Sequence, residues 1–119
     1  MKLTKNSDTD YVEYSIRLMV SNAKLRSIAK SLKSDLTCMY VREMLLSNRW
    51  RCAQTNVLFE FDGSGRNPWQ PSLDRIDNKK GYVIGNVQMV CLIYNLAKGM
   101  WGPETIEELA LIMSENNLA

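Results

Sequence analysis

The chain has 119 residues, enough for one compact domain and too few for two ordinary ones. Hydrophobic residues at 45% against charged residues at 24% give a globular balance, which excludes a largely disordered chain. No apolar run nears the roughly 20 residues that span a bilayer, the start MKLTKNSDTD lacks the apolar stretch of a signal peptide, and a net charge of +2 is by itself a poor argument for nucleic acid; a cytoplasmic protein with no membrane partner is expected.

In chain order, Val12, Ile16, Met19, Val20, Ala23, Ile28 and Leu32 recur at three- and four-residue steps, predicting an amphipathic helix or a broken pair of helices over 9–33. Asp35 or Thr37 can cap a second helix, with Val41, Met44 and Leu45 as its apolar stripe and Asn48 at its end. Residues 17 to 51 hold the bases Arg17, Lys24, Arg26, Lys30, Lys33, Arg42, Arg49 and Arg51 against Asp35 and Glu43 alone. Such a run is either a solvated helix face or a face that meets phosphates.

Val57 to Phe61 is short, branched and aromatic and predicts a strand; the Gly, Asn and Pro cluster behind it predicts a loop. Leu73 with Ile76, and Val87 and Met89 with Val90, predict two short strands around the turn-rich DNKKGYVIG, after which CLIYNLAKGM returns to helix. Gly102-Pro103-Glu104 opens a last helix running to about Ser114, acidic through Glu104, Glu107, Glu108 and Glu115. Cys38, Cys52 and Cys91 have no paired spacing, so they read as reduced thiols; Cys52 and Cys91 can lie together, but no structural zinc is expected. Tyr82, Tyr94, Trp50, Trp69 and Trp101 read as packing residues.

The order strand, loop, strand, helix folds a helix back across two strands. Asp74 then ends the first strand, Asn86 begins the second, and Asn95 and Lys98 lie on the helix at an i, i+3 step. Asp74 and Asn95 facing one another would form an oxygen-only site suited to one divalent cation, magnesium or manganese, with Lys98 beside it to reach a phosphate oxygen. Read singly, Asp77-Asn78 is a turn former and Asn86 a structural residue.

The stretch from Arg51 to Lys98 carries Arg51-Cys52-Ala53-Gln54-Thr55, Pro71-Ser72-Leu73-Asp74-Arg75-Ile76-Asp77, Gly81-Tyr82, Gly85-Asn86-Val87, Val90-Cys91, and Asn95 with Lys98. It resembles the HNH endonucleases of the ββα-metal superfamily, in particular small phage and bacterial forms, over about 48 residues. The arm with Ala23-Lys24-Leu25-Arg26 ahead of Leu36-Thr37 resembles the segment preceding that module. The resemblance implies a metal-dependent phosphodiesterase acting on DNA. Asp74 matches the metal-binding acid, Asn86 the asparagine tying the loop to the second strand, and Asn95 the final metal ligand. The departure is Arg75, where the family usually has the histidine that activates water. Arginine cannot act as a general base; it can bind the scissile phosphate or steady its developing charge, leaving Asp77, the substrate phosphate, bulk water or an activated Tyr82 to take the proton.

The expectation is therefore an α+β single domain: a helical basic arm over 1–48, an HNH-like ββα-metal module over 49–101 and a short C-terminal helix over 102–119 packed against it. Its expected catalytic residues are Asp74, Arg75, Asn86 and Lys98, its metal ligands Asp74 and Asn95, and its DNA contacts Lys24, Arg26, Lys30, Arg49 and Lys98. Two alternatives stand beside the endonuclease: a DNA-binding module of the same fold that has lost the chemistry, and a protein-interaction module using the acidic tail helix.

Overall fold

The computed structural model describes residues 6–63 and 66–118. Helix α1 spans Asn6–Ala29, α2 spans Cys38–Ser47, strand β1 spans Pro71–Arg75, β2 spans Val87–Cys91, α3 spans Leu92–Lys98 and α4 spans Pro103–Leu118. This is the expected α+β architecture.

Helix α1 is continuous and stops before residue 33. Ser31 adopts φ 54°, and its amide and that of Leu32 close onto the carbonyls of Ile28 (3.1 Å) and Ser27 (2.8 Å). This is a Schellman closure built without the usual glycine, which is why the sequence carries no stop signal. Val12, Ile16 and Ala23 are buried as expected, but Ile28 is 68% exposed because it lies off that stripe. The Thr37 hydroxyl caps α2 by accepting from the Tyr40 amide at 3.1 Å. The same closure recurs at its other end, where Arg49 (φ 54°) and Trp50 (φ 62°) direct their amides to Leu46 (3.0 Å) and Leu45 (2.8 Å).

The strand expected at Val57 to Phe61 is absent; only an isolated bridge, Arg51 with Leu58, forms there. Phe59 and Phe61 are nevertheless buried, so their apolar character serves the core as an anchored loop, with Phe61 edge-on to Trp50 at 6.0 Å. Strands β1 and β2 pair antiparallel with Pro71 opposite Cys91 and Arg75 opposite Val87. Ile76 falls just outside β1 and is exposed.

Helix α3 packs on both strands, α1 on β1 and α2 on β2, around a core in which Ile16, Val41, Leu45, Phe59, Met89 and Val90 are fully buried. One core thus joins the arm to the hairpin. Helix α4 differs from expectation: it runs on to Leu118, has no buried residue, and among the described residues touches α3 alone.

Candidate functional site

The site begins with the loop between the two strands. Asn86 is buried, and its side chain accepts from the Asp77 amide (2.9 Å) while donating to the carbonyls of Asp77 (3.1 Å) and Gly81 (2.9 Å). A single amide so satisfied holds both ends of the turn. The Asp77 carboxylate takes the Lys79 amide at 2.9 Å, the local bond a turn-forming aspartate makes. Gly81 is needed because a Cβ there would collide with the Lys33 carbonyl oxygen. The loop is further joined to the segment behind α1 by Asp35, whose carboxylate takes the Ile84 amide at 2.8 Å.

On one side of the hairpin Asp74 is 6% exposed, and its Oδ2 accepts from Lys98 Nζ at 2.7 Å and from Gln88 Nε2 at 2.8 Å. Lys98 is itself buried and donates also to the Arg75 carbonyl at 3.3 Å. Its expected reach to a phosphate is therefore corrected: the ammonium serves as the counter-ion of Asp74, because a buried carboxylate requires one. Gln88 escaped the sequence reading, although it is the cross-strand partner of Asp74 and the pairing register alone would place it there. Gln54 steadies it, donating to Gln88 Oε1 at 2.8 Å.

Asn95 donates through Nδ2 to Ser72 Oγ (2.8 Å) and the Leu73 carbonyl (3.0 Å), the two residues ahead of Asp74. Its nitrogen is thus committed to β1. Among the described residues, no donor meets Asn95 Oδ1 or Asp74 Oδ1. These two oxygens, one anionic and one neutral, fit a hard cation that completes its shell with water or phosphate oxygens. The fit is partial, since Lys98 already neutralises the one carboxylate and no cluster of three acidic, Cys or His ligands occurs among the described residues.

Arg75 takes the other side, as the strand pleat requires of a neighbour of Asp74. Its Nη1 donates to the carbonyls of Asn78 (3.1 Å) and Lys80 (3.2 Å), and its guanidinium lies 5.2 Å from the Tyr82 ring centroid. Arg26 reaches the Tyr82 hydroxyl at 3.5 Å from α1. Arg26, Arg75, Lys79 and Lys80 therefore gather around the loop, with Lys33 held beside Gly81. Lys30 follows Arg26 by one turn, its amide bonded to the Arg26 carbonyl at 3.2 Å. Lys24 sits about 200° from Arg26 around an ideal helix, on the opposite flank of the buried stripe. Arg49 is exposed just past the end of α2. The expected DNA contacts are thus not brought together on one face.

Behind the site, Cys52 and Cys91 do lie together, with Thr55 Oγ1 4.0 Å from Cys91 Sγ. Burial and the neighbouring Cys52 push the Cys91 thiol up, while the Thr55 hydroxyl and the amides of Cys91, Gln54 and Thr55 outweigh burial and lower Cys52. Burial, with Asp74 close by, raises Tyr94.

This geometry defines a hairpin-and-helix site with a buried acid, an anchored amide and a basic loop. No family model matches the chain, and no match was found among curated proteins or solved structures.

Proposed function

We propose that the chain is a metal-dependent DNA endonuclease of HNH type with an arginine in place of the usual histidine. The observation that supports this reading is that α3 lies on the hairpin with Lys98 on Asp74 and Asn95 on the neighbouring Ser72 and Leu73, leaving Oδ1 of Asp74 and of Asn95 without a donor among the described residues, beside a loop tied by Asn86. A bound magnesium or manganese ion would supply Lewis-acid polarisation of a phosphoryl oxygen there. Asp74 and Asn95 would hold it, and Lys98 fixes the Asp74 rotamer through Oδ2. Arg75 positions the loop and offers its remaining N–H groups to the DNA backbone, next to Arg26, Lys30, Lys33, Lys79 and Lys80. Tyr82 is buried and held by Arg26, and Asp77 caps its own turn, so the proton passes to the substrate phosphate or to solvent.

A second reading, a DNA-binding protein of the same fold without catalysis, is favoured by the Lys98 ammonium already seated on Asp74. Nicking of supercoiled plasmid with manganese or magnesium separates the two. Wild type is expected to nick, with loss in EDTA and in Asn95→Ala and Asp74→Asn, each checked by melting. Asp74→Ala is less suitable because it removes the oxygen that accepts from buried Lys98 along with the charge, whereas asparagine keeps an amide oxygen there. Wild-type protein that retards DNA yet nicks no better than these variants would leave the binding reading alone.

A further inference from the structure

We propose that the chain forms a two-fold homodimer in which α4 of each copy lies along the outer face of α1 of the other. Helix α4 has 16 residues and none is buried; Leu109, Leu111, Ile112, Met113 and Leu118 are between 51% and 86% exposed. These side chains lie on several sides of a helix that packs on α3 alone among the described elements, and so much uncovered apolar surface marks an interface.

The charges select the partner. Glu104, Glu107, Glu108 and Glu115 are the charged residues of α4, which has no base. Leu111 and Leu118, seven residues apart, share the glutamate side of the helix and face away from the half-buried Ile106. Two α4 helices laid together would set acid against acid. Helix α1 offers the complement. Opposite its buried stripe, Tyr14, Leu18, Leu25 and Ile28 are 57%, 42%, 64% and 68% exposed, with Arg17 and Lys24 along the same side. Glu13, the nearest acid on that helix, is taken by Arg42.

Lengths agree as well: about 24 Å of α4 can lie along about 36 Å of α1. Exchange of the pair by a two-fold axis buries both exposed faces in each copy and closes the assembly. The contact draws its charge from Arg17 and Lys24, on the flank of α1 away from Arg26, while its apolar side includes Tyr14 and Leu18, which also line a cavity with Arg26 and Tyr82. Dimerisation thereby gives a role to two bases that lie off the Arg26 side of α1.

Sedimentation equilibrium on the full chain tests this at concentrations up to about 100 μM, where a Kd near 10 μM registers clearly. The expected mass is that of two chains. Leu111→Glu with Ile112→Glu should give monomers with an unchanged circular-dichroism spectrum, since both side chains are exposed. Arg17→Glu with Lys24→Glu should weaken association at least about tenfold, and adding Glu107→Lys with Glu108→Lys should restore it. A monomeric wild type, a dimer indifferent to the Leu111 and Ile112 changes, or one unmoved by the α1 charge reversal would overturn the proposal. So would a dimer tightened by the Glu107 and Glu108 changes alone, which marks α4 against α4.

Discussion

Replacing Lys98 with methionine keeps most of the side-chain volume and removes one charge from the Asp74 pair. Both partners are 6% exposed at the side chain, so the remaining carboxylate stays in a poorly hydrated place with Gln88 as its side-chain donor. Breaking one side of a buried pair costs about 3 to 5 kcal/mol. With about 2.1 cal/mol/K of unfolding entropy per residue, 119 residues carry about 250 cal/mol/K, so Tm should fall by about 12 to 20 °C. Asp74→Leu combined with Lys98→Met removes both charges and should recover most of that loss. Metal affinity moves the other way. An ammonium repels a cation held on the same carboxylate, so Lys98→Met should bind manganese more tightly and regain stability on its addition, whereas the double variant should not respond. Melting curves with and without manganese check all three proteins. A Lys98→Met protein melting within about 4 °C of wild type would refute the account, because about 1 kcal/mol is too little for a carboxylate stripped of a buried counter-ion.

Ser27 has its hydroxyl buried with no partner among the described residues, so Ser27→Ala should raise stability by about 1 kcal/mol, read as an increased urea midpoint with unchanged slope. Arg49 holds a left-handed conformation at a helix end, and Arg49→Gly should stabilise by up to about 1 kcal/mol in the same titration; a loss would mean that the side chain is held by a contact. The Arg42 guanidinium lowers the Glu13 pKa, so the pair stabilises the fold above the ordinary glutamate range, and that stability is lost as pH falls through the depressed folded value. Glu13→Gln should accordingly melt slightly below wild type at neutral pH and together with it in strong acid, and an equal gap at both would disprove the linkage.

What could be read from residues alone divides along a physical line. The α2 cap, the two paired strands, α3 and the proline start of α4 were legible because each rests on local chemistry: Thr37 before an apolar stripe, alternation around a turn, Pro103 after Gly102. The end of α2 at Asn48 was legible too, but the closure of α1 at Ser31 was not, since it places a non-glycine residue at positive φ and so carries no sequence mark. Val57 to Phe61 had the composition of a strand, but a strand needs a neighbour along its length, and the chain supplies one bridge. For the site, i, i+3 spacing correctly put Asn95 and Lys98 on one side of a helix. Which of them would meet Asp74 depends on side-chain length and on desolvation: the long lysine reaches the buried acid, and the short asparagine stops at Ser72 and Leu73.

Arg75 shows how one residue changes the work of a hairpin. At a position beside the acid a histidine would carry a proton, and its ring would leave the loop carbonyls of Asn78 and Lys80 without their donor. The arginine instead bridges those carbonyls and lies over Tyr82, whose hydroxyl meets Arg26. Charge-assisted bonds and a cation over an aromatic face both favour arginine over lysine in that setting. The loop is thereby held to the helical arm by a stack with two positive charges, which is tolerable for a surface meant to face phosphates and costly for one that is not. Arginine at position 75 thus gives the hairpin a fixed cationic edge and no proton acceptor, so the proposed cleavage would need another group, the substrate phosphate or solvent, to take the proton.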